Sequence, residues 1–134
     1  MYVPTPKSVR RAYTQLNRLL FRGQLPLSKH VEVSIGGCNL EWWAYCEFAK
    51  ERYRIRLRPK YHNRKFFIAI LAHEMVHVKQ FVRKEMVINV TPKRSTYYWK
   101  GKRVVADYYN QPWEIEAWKK ERLLATRIYA IFNE

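Results

Sequence analysis

Apolar residues recur at helical spacing near the start of the chain. Val9, Tyr13, Leu16 and Leu20 share one face of a helix predicted over about Pro6 to Phe21. Thr5 before Pro6 suits an N-cap followed by proline in the first helical position, and Gly23 ends the helix before Pro26 opens a loop. Three strand candidates follow. Val31 to Ile35 alternates in part, and Trp42 to Phe48 is rich in aromatics. Tyr53 to Arg58 alternates cleanly, with Tyr53, Ile55 and Leu57 on one side and Arg54, Arg56 and Arg58 on the other, until Pro59 stops it. Lys65 to Lys84 reads as a second helix. Its stretch from Phe66 to Val78 is apolar nearly all round, the pattern of a buried central helix. Residues 85–109 read as irregular structure with a hairpin, where Tyr97-Tyr98-Trp99 and Arg103-Val104-Val105 flank Lys100-Gly101. A third helix starts near Asn110-Gln111-Pro112, with Asn110 as its N-cap, and runs almost to the last residue. This order predicts one α+β domain over 1–134. A small, mainly antiparallel sheet packs with a buried central helix and with N- and C-terminal helices.

Composition fits that picture. Of 134 residues, 48% are hydrophobic and 16% aromatic, enough for a real core and far from a disordered tail. Two cysteines, Cys38 and Cys46, are too few for a disulfide framework, and without a Cys-x-x-Cys pair they exclude a zinc ribbon. The segment Met1 to Lys7 lacks the apolar region of a signal peptide, and the longest uncharged apolar run, Phe66 to Ala72, is far short of a membrane span. A cytoplasmic, reducing compartment and no membrane partner are expected.

Charge adds a partner. The formal net charge is +15, which attracts polyanions and above all nucleic acid. Arg54, Arg56 and Arg58 would line one sheet face at a repeat of about 6.6–6.8 Å, close to the phosphate spacing of an extended single strand. Lys7, Arg11, Arg18 and Arg22 form a second stripe on the polar face of the first helix. Interspersed Tyr and Trp can stack on bases. The plainer reading is a solvated face that keeps the protein in solution.

The sharpest chemical signal is His73-Glu74-Met75-Val76-His77, the pattern H-E-x-x-H inside the apolar helix. Histidines four residues apart lie about 40° apart and one turn up, so both imidazoles reach one ion, and zinc accepts neutral imidazole nitrogens. Glu74 sits at the edge of that face, placed to take a proton from a zinc-bound water and pass it to a leaving amine. His73, Glu74 and His77 are the only ionisable residues between Phe66 and Val78. A carboxylate among Phe, Ile, Leu and Val costs several kcal/mol unless paired, and a divalent cation is the natural compensation. The alternative is two core histidines bonded to backbone, with Glu74 paired to a buried Arg.

Catalytic zinc usually takes three protein ligands. No histidine follows His77, so a downstream carboxylate is expected: Glu85, Asp107, Glu114, Glu116 or Glu121. With Trp113 set at 0°, the apolar residues Ala117, Trp118, Leu124, Ala125, Ile128, Tyr129 and Phe132 span about 0–160°. Glu114 at about 100° and Glu121 at about 80° fall inside that arc. Glu116 at about 300° sits beside Lys120 and Arg127, the place of a solvent ion pair. Glu114 is therefore the expected ligand, against the plainer role of a first-turn carboxylate favoured by the helix dipole. Glu121 is expected to orient a histidine, to serve as an alternative ligand, or to pair with a buried Arg.

With those residues in place, the chain resembles the SprT-like (Spartan-type) zinc metallopeptidases. Asn17-Arg18-Leu19-Leu20-Phe21-Arg22-Gly23-Gln24-Leu25-Pro26 is similar to the segment that opens such domains. Tyr53-Arg54-Ile55-Arg56-Leu57 and Leu71-Ala72-His73-Glu74-Met75-Val76-His77 continue the likeness over residues 10–80. The resemblance implies a minimal zincin fold, one zinc ion, peptidase activity and, from the Spartan branch, substrates attached to DNA. SprT-like domains generally carry a further downstream histidine and often a zinc ribbon, and this sequence has neither. Glu114-Ile115-Glu116-Ala117 instead resembles the E-x-x-A element of gluzincin-like and ImmA/IrrE-type peptidases, whose first Glu is a ligand. Compact versions of this kind resemble phage or mobile-element proteins.

The expected mechanism is attack by a metal-activated water on a peptide carbonyl, with Glu74 as general base. Tyr97, Tyr98, Tyr108 and Tyr109 are the candidate donors to the oxyanion. Two other readings stay open: a nucleic-acid-binding module with a structural zinc, and a zincin dedicated to one partner protein such as a repressor.

Overall fold

The computed structural model describes residues 1–24, 30–36, 43–49 and 52–132. Leu25-Pro26, Cys38, Trp42 and the side chain of Phe132 lie outside the described residues.

The first helix, α1, spans Pro6–Phe21 as its periodicity predicts. The Thr5 hydroxyl accepts from Ser8 N–H and the Ser8 hydroxyl accepts from Thr5 N–H, a capping box that satisfies two otherwise orphaned donors. At the other end Arg22 and Gly23 both take positive φ, and their N–H groups turn back onto the Asn17 carbonyl. The strands β1 (Val31–Ile35), β2 (Ala44–Ala49) and β3 (Arg52–Leu57) form one sheet in the order β1-β3-β2. β1 runs parallel to β3 and β2 antiparallel to it. In that register Val31, Val33 and Ile35 share a face with Tyr53, Ile55 and Leu57 and with Ala44, Cys46 and Phe48. Ile55 and Leu57 are fully buried on this face.

The central helix α2 spans Arg64–Val82, capped by the Asn63 side chain, which accepts from Phe66 N–H at 2.8 Å. Phe67, Ile68, Leu71, Ala72, Met75 and Val76 are fully buried, as the all-round apolar pattern requires. Two contacts fix it to its neighbours. The Arg83 guanidinium donates to the Leu20 carbonyl at the end of α1, and Phe81 packs on Phe48 of β2 with ring centroids 4.2 Å apart.

Beyond α2 the chain differs from the sequence expectation. Met86–Val90 is a strand, β4, which pairs with β5 (Ser95–Trp99), and β5 pairs with β6 (Lys102–Val104). The described residues thus form two small sheets. The β5–β6 turn is at Lys100-Gly101, where both residues take positive φ as a tight hairpin demands.

Asn110 is not the cap of the last helix. It ends a 3-10 turn, Tyr108–Asn110, whose cap is Asp107, and the Gln111 carbonyl accepts the first N–H bonds of α3 (Pro112–Phe132). Asp107 competes for the local donors, so the helix starts one residue later. α3 lies along α2 and buries Trp113, Ala117, Ala125 and Ile128. No helix among the described residues is long and apolar enough to cross a membrane.

Candidate metal centre

α2 and the first turn of α3 bring His73, His77 and Glu114 together. All three side chains are about nine-tenths buried, and each offers a ligand atom within 4.8 Å of the others. The Nε2 atoms of His73 and His77 are 3.2 Å apart, and Glu114 Oε2 is 3.2 Å from His73 Nε2. Donors placed about 2.0–2.1 Å from a tetrahedral ion lie about 3.3–3.4 Å from one another. Both separations match that spacing. The other Glu114 oxygen, Oε1, lies 2.7 Å from His77 Nε2, a distance contracted to a charge-assisted hydrogen bond. Two imidazoles and a carboxylate are a donor set that suits zinc, and this group can hold a metal ion.

The opposite ring nitrogens are held from behind. His77 Nδ1 meets Gln80 Oε1 at 2.9 Å. The Gln80 amide is itself oriented, because its NH2 group donates to the Trp113 carbonyl and to Glu116. Gln80 is fully buried, so its oxygen is free only to accept, which places the proton on Nδ1 and leaves Nε2 as the ligand atom. His73 Nδ1 faces Glu121 Oε1 at 3.5 Å, so Glu121 lies beside the ring from behind. Sequence reasoning missed Gln80. Its signal was available, since a residue three positions after His77 on a helix shares its face.

Electrostatics follow from the crowding of acids and imidazoles. Burial pulls His73 down, but hydrogen bonds to Glu114 and Glu121 outweigh it and push the ring up to about 10. Burial likewise opposes His77, yet Glu114 and Glu74 hold it above its ordinary value. Glu114 feels burial too, and the two imidazoles still drive it down to about 2. Glu74 is different. Burial dominates and raises it above the usual carboxylate range, against the pull of His77 and His73. Among the described residues its carboxylate has no hydrogen-bond or ion-pair partner. It lines an open cleft of about 200 Å³ with His73, Glu121, Trp43, Trp118 and Tyr108. The sequence alternative of a buried Arg paired to Glu74 is not what the fold provides.

The remaining carboxylate candidates are held elsewhere. Asp107 caps the 3-10 turn. Glu85 pairs with Lys79 at 2.9 Å. Glu116 is not a solvent ion pair: only a fifth exposed, it pairs with the buried Lys79 at 2.8 Å as well as with Lys120 at 3.7 Å. A wheel of one helix cannot show a cation that arrives from another. Of the four tyrosines, Tyr108 lines the cleft beside Glu114, and burial together with the nearby carboxylates pushes its hydroxyl up to about 12. Tyr97 stacks on Trp113, Tyr109 is mostly exposed, and Tyr98 sits on the far face of its sheet.

The basic residues of the first sheet are partly neutralised. Arg54 pairs with Glu32 of β1 at 3.8 Å, Arg56 with Glu47 of β2 at 3.4 Å, and Arg58 lies over the Trp43 ring. Lys7, Arg11, Arg18 and Arg22 are exposed along α1. No family model matches the chain, and no curated protein matches it significantly.

Proposed function

We propose that this protein is a zinc-dependent metallopeptidase in which His73, His77 and Glu114 hold the ion and Glu74 moves the proton. The observation that carries the reading is a converging two-imidazole, one-carboxylate group whose His73 lines an open cleft together with Glu74, a carboxylate without a partner among the described residues. A structural site would use up its donors. Here three converge, and the cleft beside them is open.

When bound, zinc supplies Lewis acidity, which polarises a carbonyl and brings the ionisation of water near neutrality. Glu74, raised by burial, is suited to accept a proton from water and to return it to a departing amine. Tyr108 stays protonated at neutral pH and is the donor the cleft offers to a carbonyl oxygen as negative charge develops there. Trp43, Ile70 and Trp118 give the cleft apolar walls that exclude water and accept a substrate side chain. The likeness to SprT-like domains around His73-Glu74-Met75-Val76-His77 supports the same chemistry, and proteins held on nucleic acid are the substrate class it suggests.

Glu74→Gln tests the assignment. The variant is expected to bind one zinc ion like the parent and to lose hydrolysis of an unfolded protein substrate by at least about 10²-fold. Hydrolysis that persists in the zinc-loaded variant refutes the role of Glu74.

A further inference from the structure

The second sheet has a surface that the proposed chemistry does not use. Between Met86 and Ala106 the sequence contains Lys93, Arg94, Lys100, Lys102 and Arg103 and no Asp or Glu. All five cations are exposed, and none forms an ion pair among the described residues. This contrasts with β3, whose Arg54 and Arg56 have carboxylates on the neighbouring strands.

Register sorts the residues of this sheet. Met86, Ile88, Tyr97, Trp99 and Val104 share the face that meets α3, where Tyr97 and Trp99 contact the Trp113 ring. The opposite face carries the row Val87–Tyr98–Arg103, with Asn89 and Thr96 beside it. An aromatic ring between an aliphatic side chain and a guanidinium is a stacking platform for a base. Lys93 and Arg94 stand at one end of the strands, whereas Lys100 at the other end lies over the Trp99 ring on the face toward α3. The five residues of β5 extend about 17 Å, a few nucleotides of extended strand.

We infer that the outer face of the β4–β5–β6 sheet binds single-stranded nucleic acid, with Tyr98 stacking on a base and Lys93, Arg94 and Arg103 meeting phosphates. Charge complementarity selects a polyanion, and the ring within the cationic row selects one that carries bases. The Tyr97–Trp113 contact ties this sheet to the residue preceding Glu114, so a protein bound to the same strand is held close to the cleft. The binding surface does not depend on the peptidase chemistry.

Fluorescence anisotropy with a labelled oligothymidylate, a labelled oligouridylate and phosphatidylserine vesicles tests it, using the zinc-loaded Glu74→Gln chain. Low-salt binding to either oligonucleotide is expected, weakening steeply as salt rises. The pair Lys93→Gln and Arg94→Gln lies in a turn closed by backbone and Thr91 hydrogen bonds, which the substitutions leave intact. It is expected to weaken binding and to reduce the salt slope by about one for each phosphate that is no longer neutralised. Tyr98→Leu is expected to weaken binding roughly five- to a hundredfold at constant salt slope. Arg54→Gln with Arg56→Gln is expected to change little. No binding at low salt, binding indifferent to the hairpin variants, or binding to vesicles alone overturns the inference. None of these results touches the question of peptide hydrolysis.

Discussion

Gln80 gives the most direct reading of how the candidate metal centre is held. Its side-chain oxygen is 2.9 Å from His77 Nδ1, and its amide group is fixed by the Trp113 carbonyl and Glu116. Replacing it with Leu keeps the volume and removes the acceptor, so the ring is no longer held with Nε2 toward His73 and Glu114. Losing such an orienting partner costs about 10–100-fold in metal affinity, or about 1.4–2.7 kcal/mol. The same change removes the amide bonds to the Trp113 carbonyl, which keeps its place in the α3 ladder, and to Glu116, which keeps Lys79, so the stability cost of about 1–3 kcal/mol comes from the His77 Nδ1–H left without an acceptor. The two effects separate by assay. Competition with a chromophoric chelator reads zinc affinity, and urea unfolding of the metal-free protein reads stability. Glu121→Gln is the internal comparison. Its 3.5 Å contact to His73 Nδ1 is at the limit of a hydrogen bond, so its effect on zinc affinity is expected to be smaller. A folded Gln80→Leu protein that binds zinc as tightly as the parent refutes this account of the site.

Proton competition sets the pH dependence. With His73 raised to about 10, zinc must displace a proton at neutral pH, so affinity is expected to climb by about tenfold per pH unit for each proton released. Calorimetry in buffers of different ionisation enthalpy counts those protons, and zinc uptake without proton release contradicts the geometry. In the metal-free protein the His73 contribution to stability is whole below pH 6.5 and is lost as pH climbs toward about 10. The Glu114 contribution is whole above pH 4.5 and is lost as pH falls toward about 2, whereas the buried Glu74, raised above the usual range, costs stability as pH climbs from 4.5, so denaturant titrations should show stability falling on both sides of that pH. Lys79→Met strips the cation from between Glu85 and Glu116 and is expected to cost toward the lower end of about 3–5 kcal/mol, since both acids keep some water. Lys120→Met, at an exposed pair, is expected to cost about 0–1 kcal/mol by the same urea measurement; equal costs for the two contradict the burial argument.

What the sequence made legible was what lies within one element. The periodicity of Val9, Tyr13, Leu16 and Leu20 delimited α1, and the apolar run around His73 identified α2 as the central helix. The arc that enclosed Glu114 and Glu121 on α3 placed both beside the histidines. What stayed hidden arises between elements. Glu116 meets Lys79 because two helices lie side by side, and Arg54 and Arg56 meet Glu32 and Glu47 because strands pair in one register. β4 was obscured because Met86-Val87-Ile88 follows the last turn of α2 without alternation, and its β-branched residues gain meaning only opposite Tyr97 and Tyr98. Asp107 displaced the helix start because its side chain captured Asn110 first.

Metal content tests the central claim most directly. The purified chain, dialysed against trace zinc and analysed for elements, is expected to hold one zinc ion per molecule, and the His77→Ala protein is expected to hold none while remaining folded. A folded parent chain that stays free of metal after exposure to zinc contradicts the claim that His73, His77 and Glu114 form a metal centre.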